Sequence, residues 1–117
     1  MSTATSDELA ITSTEISELP WRPLNGFLGV QFKTLWRDAT GSSYAGLMKI
    51  LPGARVPPHR HRFASHHAWV ESGSCRVGGR TFGPGAYLHA PVGVEHGIEE
   101  AGPGGCTILY LYLTSAE

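Results

Sequence analysis

The residues with the clearest chemical potential are histidines in the stretch from Gly53 to Gly73, GARVPPHRHRFASHHAWVESG. In an extended strand, His59 and His61 lie on one face with their Cα atoms about 6.6 Å apart, so both rings can converge on an ion at about 2.1 Å. His66 follows after the four residues 62–65, and the chain can bend there to present a third ring. The stretch therefore predicts half of a metal site.

A known family shares this spacing and the spacing of a later stretch, GAYLHAPVGVEH. The first stretch resembles the first motif of the cupin family, in the form Gly53-x5-His59-x-His61-x4-His66-x6-Gly73. The later stretch is similar to the second cupin motif, in the form Gly85-x5-Pro91-x-Gly93-x2-His96. Two motifs that both match the family's spacing are much stronger evidence for this resemblance than a lone His-x-His would be. The resemblance implies an all-β fold, the cupin jelly-roll barrel.

The resemblance also implies a ligand set for one divalent transition metal, made of His59, His61, His66 and His96. His66 stands where cupins usually have glutamate, which makes the set neutral and favours iron, zinc, nickel or copper over manganese or magnesium. Fe(II) is the preferred expectation. Two alternatives remain open: His66 supports the ligands from outside, or His67 replaces it as a ligand.

The chemistry that such a site implies is oxygenation. A non-haem iron oxygenase needs about three protein ligands on the ion and two or three open coordination positions, where a small-molecule substrate and O2 bind side by side. The sequence is similar to cupin dioxygenases that cleave carbon–carbon bonds in acetylacetone and dihydroxyacetophenone. The first hypothesis is therefore a metal-dependent dioxygenase that acts on a dicarbonyl compound or an aromatic ketone.

Other functions fit the same residues. The sequence also resembles the cupin domain of zinc-dependent anti-sigma factors, which implies a sensory or regulatory module without catalysis. A metal-dependent isomerase or lyase, or a cupin that has lost its activity, is a third interpretation. Outside the ligand set, the candidates for catalytic roles are Arg55, if strand alternation carries it into the cavity, and His89 and Glu100 as proton-handling or orienting groups.

The elements that position these residues are expected to be short strands, because 15 glycines and 8 prolines are spread over 117 residues. No helix of confident length is predicted. Turn signals separate seven predicted strands: Phe27–Trp36, Ser43–Leu51, His67–Glu71, Cys75–Val77, Arg80–Phe82, Ala86–Ala90 and Cys106–Leu113.

The chain divides into a flexible N-terminal arm or docking edge strand, residues 1–18, and a single cupin domain, residues 19–117. With a net charge of −1 and scattered basic residues, it offers no cationic stripe for nucleic acid or anionic lipid. Without an apolar span or leader, the expected location is the cytoplasm.

Cys75 and Cys106 are expected as buried thiols. Cupins commonly pair through apolar strands such as CTILYLYL, which predicts a homodimer.

Overall fold

The computed structural model describes residues 10–114 of the chain, and this part forms a curled all-β structure with one short helix. The all-β prediction is confirmed. The elements in chain order are α1 (Ser13–Glu18), β1 (Arg22–Pro23), β2 (Val30–Arg37), β3 (Tyr44–Ile50), β4 (Val56–His59), β5 (Ala64–Val77), β6 (Arg80–Phe82), β7 (Tyr87–Ala90), β8 (His96–Ile98) and β9 (Glu100–Thr114).

Two antiparallel sheets enclose the core. The large sheet has the order β1-β2-β3-β9-β5-β6, with β7 also paired to β5, and the small sheet pairs β4 with β8. Val30, Ile50 and Ile108 of the large sheet are almost fully buried, and Val56 and Ile98 of the small sheet pack into the same cluster. Residues that alternate along each strand therefore face either a common interior or the outside.

Strands β5 and β9 are longer than the sequence predicted. The predicted turn at residues 72–74 and the predicted loop at residues 102–105 are both wrong, because each segment lies within a continuous strand. Ser72 and Gly73 pair with Thr107 and Cys106 of β9, whereas residues 102–105 form a bulge beside them. Gly73 adopts a φ of 73°, and a Cβ there would collide with the carbonyl of Gly105. A bulge in β5 between Val70 and Ser72 and a longer one in β9 between Ala101 and Cys106 absorb the irregularity, so the turn-forming residues do not end either strand.

Helix α1 was not predicted from the sequence. Thr12 caps it by accepting a hydrogen bond from the Glu15 backbone at 3.1 Å, and the Glu15 carboxylate accepts one from the Thr12 N–H at 2.9 Å. The Lys33 ammonium ties the helix to β2 by donating to the Ile16 carbonyl at 2.9 Å. Residues 13–18 of the predicted arm are thus helical, whereas residues 1–9 lie outside the described part.

Two further expectations can be compared with the fold. Cys75 and Cys106 are free thiols with exposed fractions of 1% and 2%, which confirms that they are buried. Within residues 10–114, no helix is long and apolar enough to cross a membrane. The domain boundary at residue 19 stays a prediction.

Candidate metal centre

The small sheet brings two of the histidines face to face. His59 at the end of β4 and His96 at the start of β8 are direct partners in the strand register, with ring centroids 4.4 Å apart. His61 follows β4, and its ring centroid lies 4.9 Å from that of His59 and 5.1 Å from that of His96. One nitrogen from each of the three rings lies within 4.8 Å of the other two. These three histidines can hold a metal ion.

Strand β5 adds a fourth imidazole beside this group. The centroid of His66 lies 5.3 Å from that of His96 and 6.1 Å from that of His61. The Nε2 atoms of His66 and His96 are buried and have no hydrogen-bond partner among the described residues. Because a buried polar atom without a partner is costly, two such nitrogens in one cluster fit a set of metal ligands better than a packing role.

Backbone carbonyls orient two of the rings. His59 Nδ1 lies 2.9 Å from the Pro57 carbonyl, and His96 Nδ1 lies 3.2 Å from the Val94 carbonyl. A carbonyl oxygen can only accept, so each Nδ1 carries the proton and donates it. The Nε2 lone pairs of His59 and His96 are then left for an ion, which is the usual arrangement in histidine metal sites.

The surroundings keep the clustered histidines in the form that binds metal. Burial, helped by neighbouring His59 and His96, lowers the pKa of His61 to about 4. Burial and the neighbouring His96 and His61 lower the pKa of His66 to about 3. The pKa of His96 is also lowered, mainly by burial. At neutral pH these three imidazoles are uncharged and can donate their lone pairs.

Tyr112 contacts the cluster from β9 and was missed by the sequence analysis. Its hydroxyl hydrogen-bonds to the His61 ring, and its own ring lies 4.4 Å from that of His61 and 4.8 Å from that of His66. The register explains the contact, since His66 and Tyr112 are direct partners between β5 and β9. The alternating tyrosines of CTILYLYL were the available signal, but this run was interpreted as an apolar strand for pairing with a second copy.

The histidines open onto a cavity of about 450 Å³, a size suited to a small organic molecule. Most of its lining is apolar or aromatic. The lining side chains beyond the histidines include Leu24, Phe27, Phe32, Thr34, Arg37, Tyr44, Met48, Val56, Ala68, Leu88, Ile98, Ile108, Tyr110 and Tyr112.

His67 and His89 lie apart from the clustered rings. His67 does not line the cavity: its Nδ1 lies 2.6 Å from the Tyr87 hydroxyl, and its ring stacks on that of His89 with centroids 4.5 Å apart. His89 borders the cavity but is exposed. The structure therefore puts His66, and not His67, beside His61 and His96.

Arg55 and Glu100 are also outside the cavity lining. Arg55 is exposed because a register shift between Val56 and His59 breaks the alternation that would have turned it inward. Glu100 begins β9 and forms an ion pair with Arg76 at 3.2 Å. Neither residue is in place to contact a molecule held by the histidines.

Comparison with known structures confirms the cupin jelly roll. KdgF from Halomonas sp. is 23% identical, with a TM-score of 0.68, and the alignment covers 85% of this chain and 92% of that chain. A predicted oxalate decarboxylase from Thermotoga maritima is 19% identical, with a TM-score of 0.72, and the alignment covers 85% and 96%. At these identities the likeness shows the fold alone.

A third structure is more similar in sequence. In the complex of Rhodobacter sphaeroides SigE with the anti-sigma ChrR, the matching chain is 31% identical with a TM-score of 0.67. The alignment covers 84% of this chain and 50% of that chain, so this chain spans about half of the other's length.

The family comparison covers all of the described residues. Comparison with curated proteins gives no significant match. The family model of the ChrR cupin-like domain, by contrast, matches residues 10–115, which include both histidine motifs and all nine strands. The chain belongs to the ChrR cupin-like domain family.

Proposed function

We propose that this protein is a metal-dependent dioxygenase that acts on a small carbonyl compound. The observation that carries the proposal is a cluster of imidazoles, two of them with buried Nε2 atoms that have no partner among the described residues, at the wall of an apolar cavity of about 450 Å³. His59, His61 and His96 would hold the metal, and His66 would complete the set.

The proposed metal is Fe(II), and zinc, nickel or copper fit the same ligands. Such an ion supplies Lewis acidity toward a carbonyl oxygen and, if redox-active, the activation of O2. The protein's own part is to hold the imidazoles neutral, through the lowered pKa values of His61, His66 and His96. The apolar lining limits water around the substrate, which strengthens electrostatic interactions in the cavity.

Two tyrosines supply proton donors inside the cavity. Tyr112 places its hydroxyl against His61, next to the proposed metal position. Burial raises the pKa of Tyr110 to about 12, so its hydroxyl stays protonated at neutral pH. Both hydroxyls can therefore donate a hydrogen bond to a carbonyl or enolate oxygen of a bound substrate.

The test is metal analysis of the purified protein followed by oxygen uptake with iron and a panel of β-diketones and hydroxyacetophenones. The expected result is stoichiometric metal and substrate-dependent O2 consumption, which His61→Ala abolishes. His67→Ala is the matched control, since it removes a histidine that does not line the cavity, and it should leave uptake unchanged. Bound iron without oxygen uptake on any of these substrates would contradict the dioxygenase.

A second candidate is a sensory or regulatory module, which the family match and the 31% identity to a chain of the SigE–ChrR complex favour. In this case the same histidines would hold zinc, and the protein would bind a partner such as a sigma factor. Tightly bound zinc, no oxygen uptake and co-purification with a sigma factor would support it.

Substrate loss without oxygen consumption would instead indicate an isomerase or lyase. The homodimer and the cytoplasmic location stay predictions.

A further inference from the structure

The charges around the cavity have one sign. Among the described residues that line the cavity, none is an aspartate or a glutamate, and Arg37 is the one side chain with a permanent charge. The remaining polar lining consists of imidazoles, tyrosine hydroxyls and a threonine. A divalent ion held by histidines, which carry no negative charge to offset it, would add further positive charge. A ligand that fills this cavity is therefore best matched in charge if it is an anion.

A bulge in β2 brings Arg37 to the cavity. Phe32 and Thr34 line the cavity, so simple alternation would carry Trp36 to the same face. A register shift between Thr34 and Trp36 interrupts this alternation, and Arg37 pairs with Tyr44 of β3. Trp36 consequently points away and is 48% exposed. The irregularity exchanges an apolar side chain for a cation at the cavity wall.

Arg37 is available to a ligand. Within residues 10–114 it forms no ion pair; the salt bridges there belong to other arginines. The neighbouring Asp38 carboxylate accepts hydrogen bonds from the Thr40 hydroxyl at 2.9 Å and the Ser42 N–H at 3.1 Å, so it is occupied by the β2–β3 turn. Arg37 itself is exposed, which places its guanidinium at the open side of the cavity.

Aromatic rings connect Arg37 with the histidines. The guanidinium carbon lies 5.4 Å from the centroid of the Tyr44 ring, which is stacked on Tyr112 at 5.0 Å and an interplanar angle of 19°. Tyr112 in turn contacts His61. Planar π surfaces thus lie between a cation at one end and the metal ligands at the other, an arrangement suited to a flat molecule with polar groups at both ends.

We propose that the cavity binds an aromatic carboxylate with a carbonyl group at its far end, and that Arg37 selects it by pairing with the carboxylate. The ring of this ligand lies among the aromatic side chains of the lining, and its carbonyl points toward the histidines. That this ligand is a substrate rests on the proposed function above. That it binds in the cavity does not. A guanidinium–carboxylate pair forms two parallel charge-assisted hydrogen bonds, so Arg37 acts as a specificity-determining residue.

The experiment compares two probes of the same shape, para-acetylbenzoate and its neutral isostere para-acetylbenzamide. Titration calorimetry measures both dissociation constants with zinc-loaded and metal-free protein. Wild type is expected to prefer the carboxylate by roughly tenfold to a hundredfold, the range for one hydrogen-bonded charge. Arg37→Gln should bring the two affinities together, and Arg37→Lys should keep part of the preference. The preference should persist without metal, although both affinities fall.

Arg60→Gln is the matched control, because Arg60 is also an exposed arginine, pairs with Glu95 at 3.9 Å and does not line the cavity. It should leave the preference unchanged. Equal affinity of wild type for the two probes, no binding of the carboxylate, or an unchanged preference in Arg37→Gln would each overturn the assignment. Binding with the expected preference but no oxygen uptake would contradict the dioxygenase alone, so the two proposals fail separately.

Discussion

His66 and His67 are neighbours in the sequence, yet the two faces of β5 give them different surroundings. His66 lines the cavity with a buried Nε2 that has no partner in the described structure, and burial lowers its pKa to about 3. His67 lies on the other face, bonded to the Tyr87 hydroxyl and stacked on His89. The inner cluster has lone pairs without partners, whereas both ring nitrogens of His67 bond to hydroxyls, of Tyr87 at 2.6 Å and of Ser65 at 3.2 Å. The partnering of the nitrogens, more than the number of histidines, distinguishes a candidate metal site from a surface cluster.

Removing one histidine from each cluster should produce the largest difference between them. His96→Ala should weaken metal binding by at least about 100-fold, because outer-shell partners alone are worth 10–100-fold. His67→Ala should leave the affinity within about twofold of wild type. Competition with a chromogenic chelator measures both. Wild type with metal at 100 times its dissociation constant should also gain about 2.7 kcal/mol of stability, a gain that His96→Ala loses. Equal affinities for the two variants would refute the distinction.

Strand alternation accounts for which of the two neighbours faces inward, although the sequence analysis left His67 open as a ligand. A period of two residues puts His66, Ala68 and Val70 on one face. The structure buries Ala68 and Val70 in the core and lines the cavity with His66 and Ala68. The four-histidine set is what the resemblance of two motifs to the cupin family implied. Both inferences are local, since they depend on a period of two residues or on a short segment between turns.

Contacts between distant strands could not be obtained in the same way. Tyr112 meets His66 only through the register of β5 and β9, which are 46 residues apart at this pair and contain bulges that no local pattern reveals. Bulges also decided that Arg37 lines the cavity and that Arg55 does not. Helix α1 was missed although Thr12 and Glu15 form a capping box, because six residues are too few for a clear helical period.

A second prediction uses the lowered pKa of His66. Its pKa is about 3 in the folded protein and near 6.5 in the unfolded chain, so between these values the unfolded chain binds the extra proton. The metal-free protein should therefore lose stability as pH falls from 6.5 toward 3, with a contribution from His66 of up to about 1.4 kcal/mol per pH unit. His66→Gln should unfold with a shallower pH dependence. Urea titrations of the two proteins at pH 7.5 and pH 5 measure the change.

The outcome at each pH has a distinct meaning. Above pH 6.5 the imidazole is neutral in both states, so the two proteins should differ by a constant amount there. If the difference in free energy of unfolding between wild type and His66→Gln is the same at pH 5 as at pH 7.5, the surroundings do not hold His66 neutral. The two faces of β5 would then not differ in how they affect the charge of a histidine.

The smallest predicted effect compares a tyrosine–histidine pair on each face. Tyr112→Phe removes the hydroxyl that bonds to His61 inside the cavity, and Tyr87→Phe removes the one that bonds to His67 at 2.6 Å on the outside. An internal hydrogen bond contributes about 1 kcal/mol to stability, whereas an exposed one competes with water. Tyr112→Phe should therefore lower the free energy of unfolding by about 1 kcal/mol, and Tyr87→Phe should lower it by less than about 0.5 kcal/mol. Urea denaturation of the metal-free proteins at pH 7.5 resolves this difference. If Tyr87→Phe lost more stability than Tyr112→Phe, the outer cluster would contribute more to the fold than the inner one. The hydrogen bond of the Tyr112 hydroxyl to His61 would then be no stronger than the bonds that water makes with the two groups.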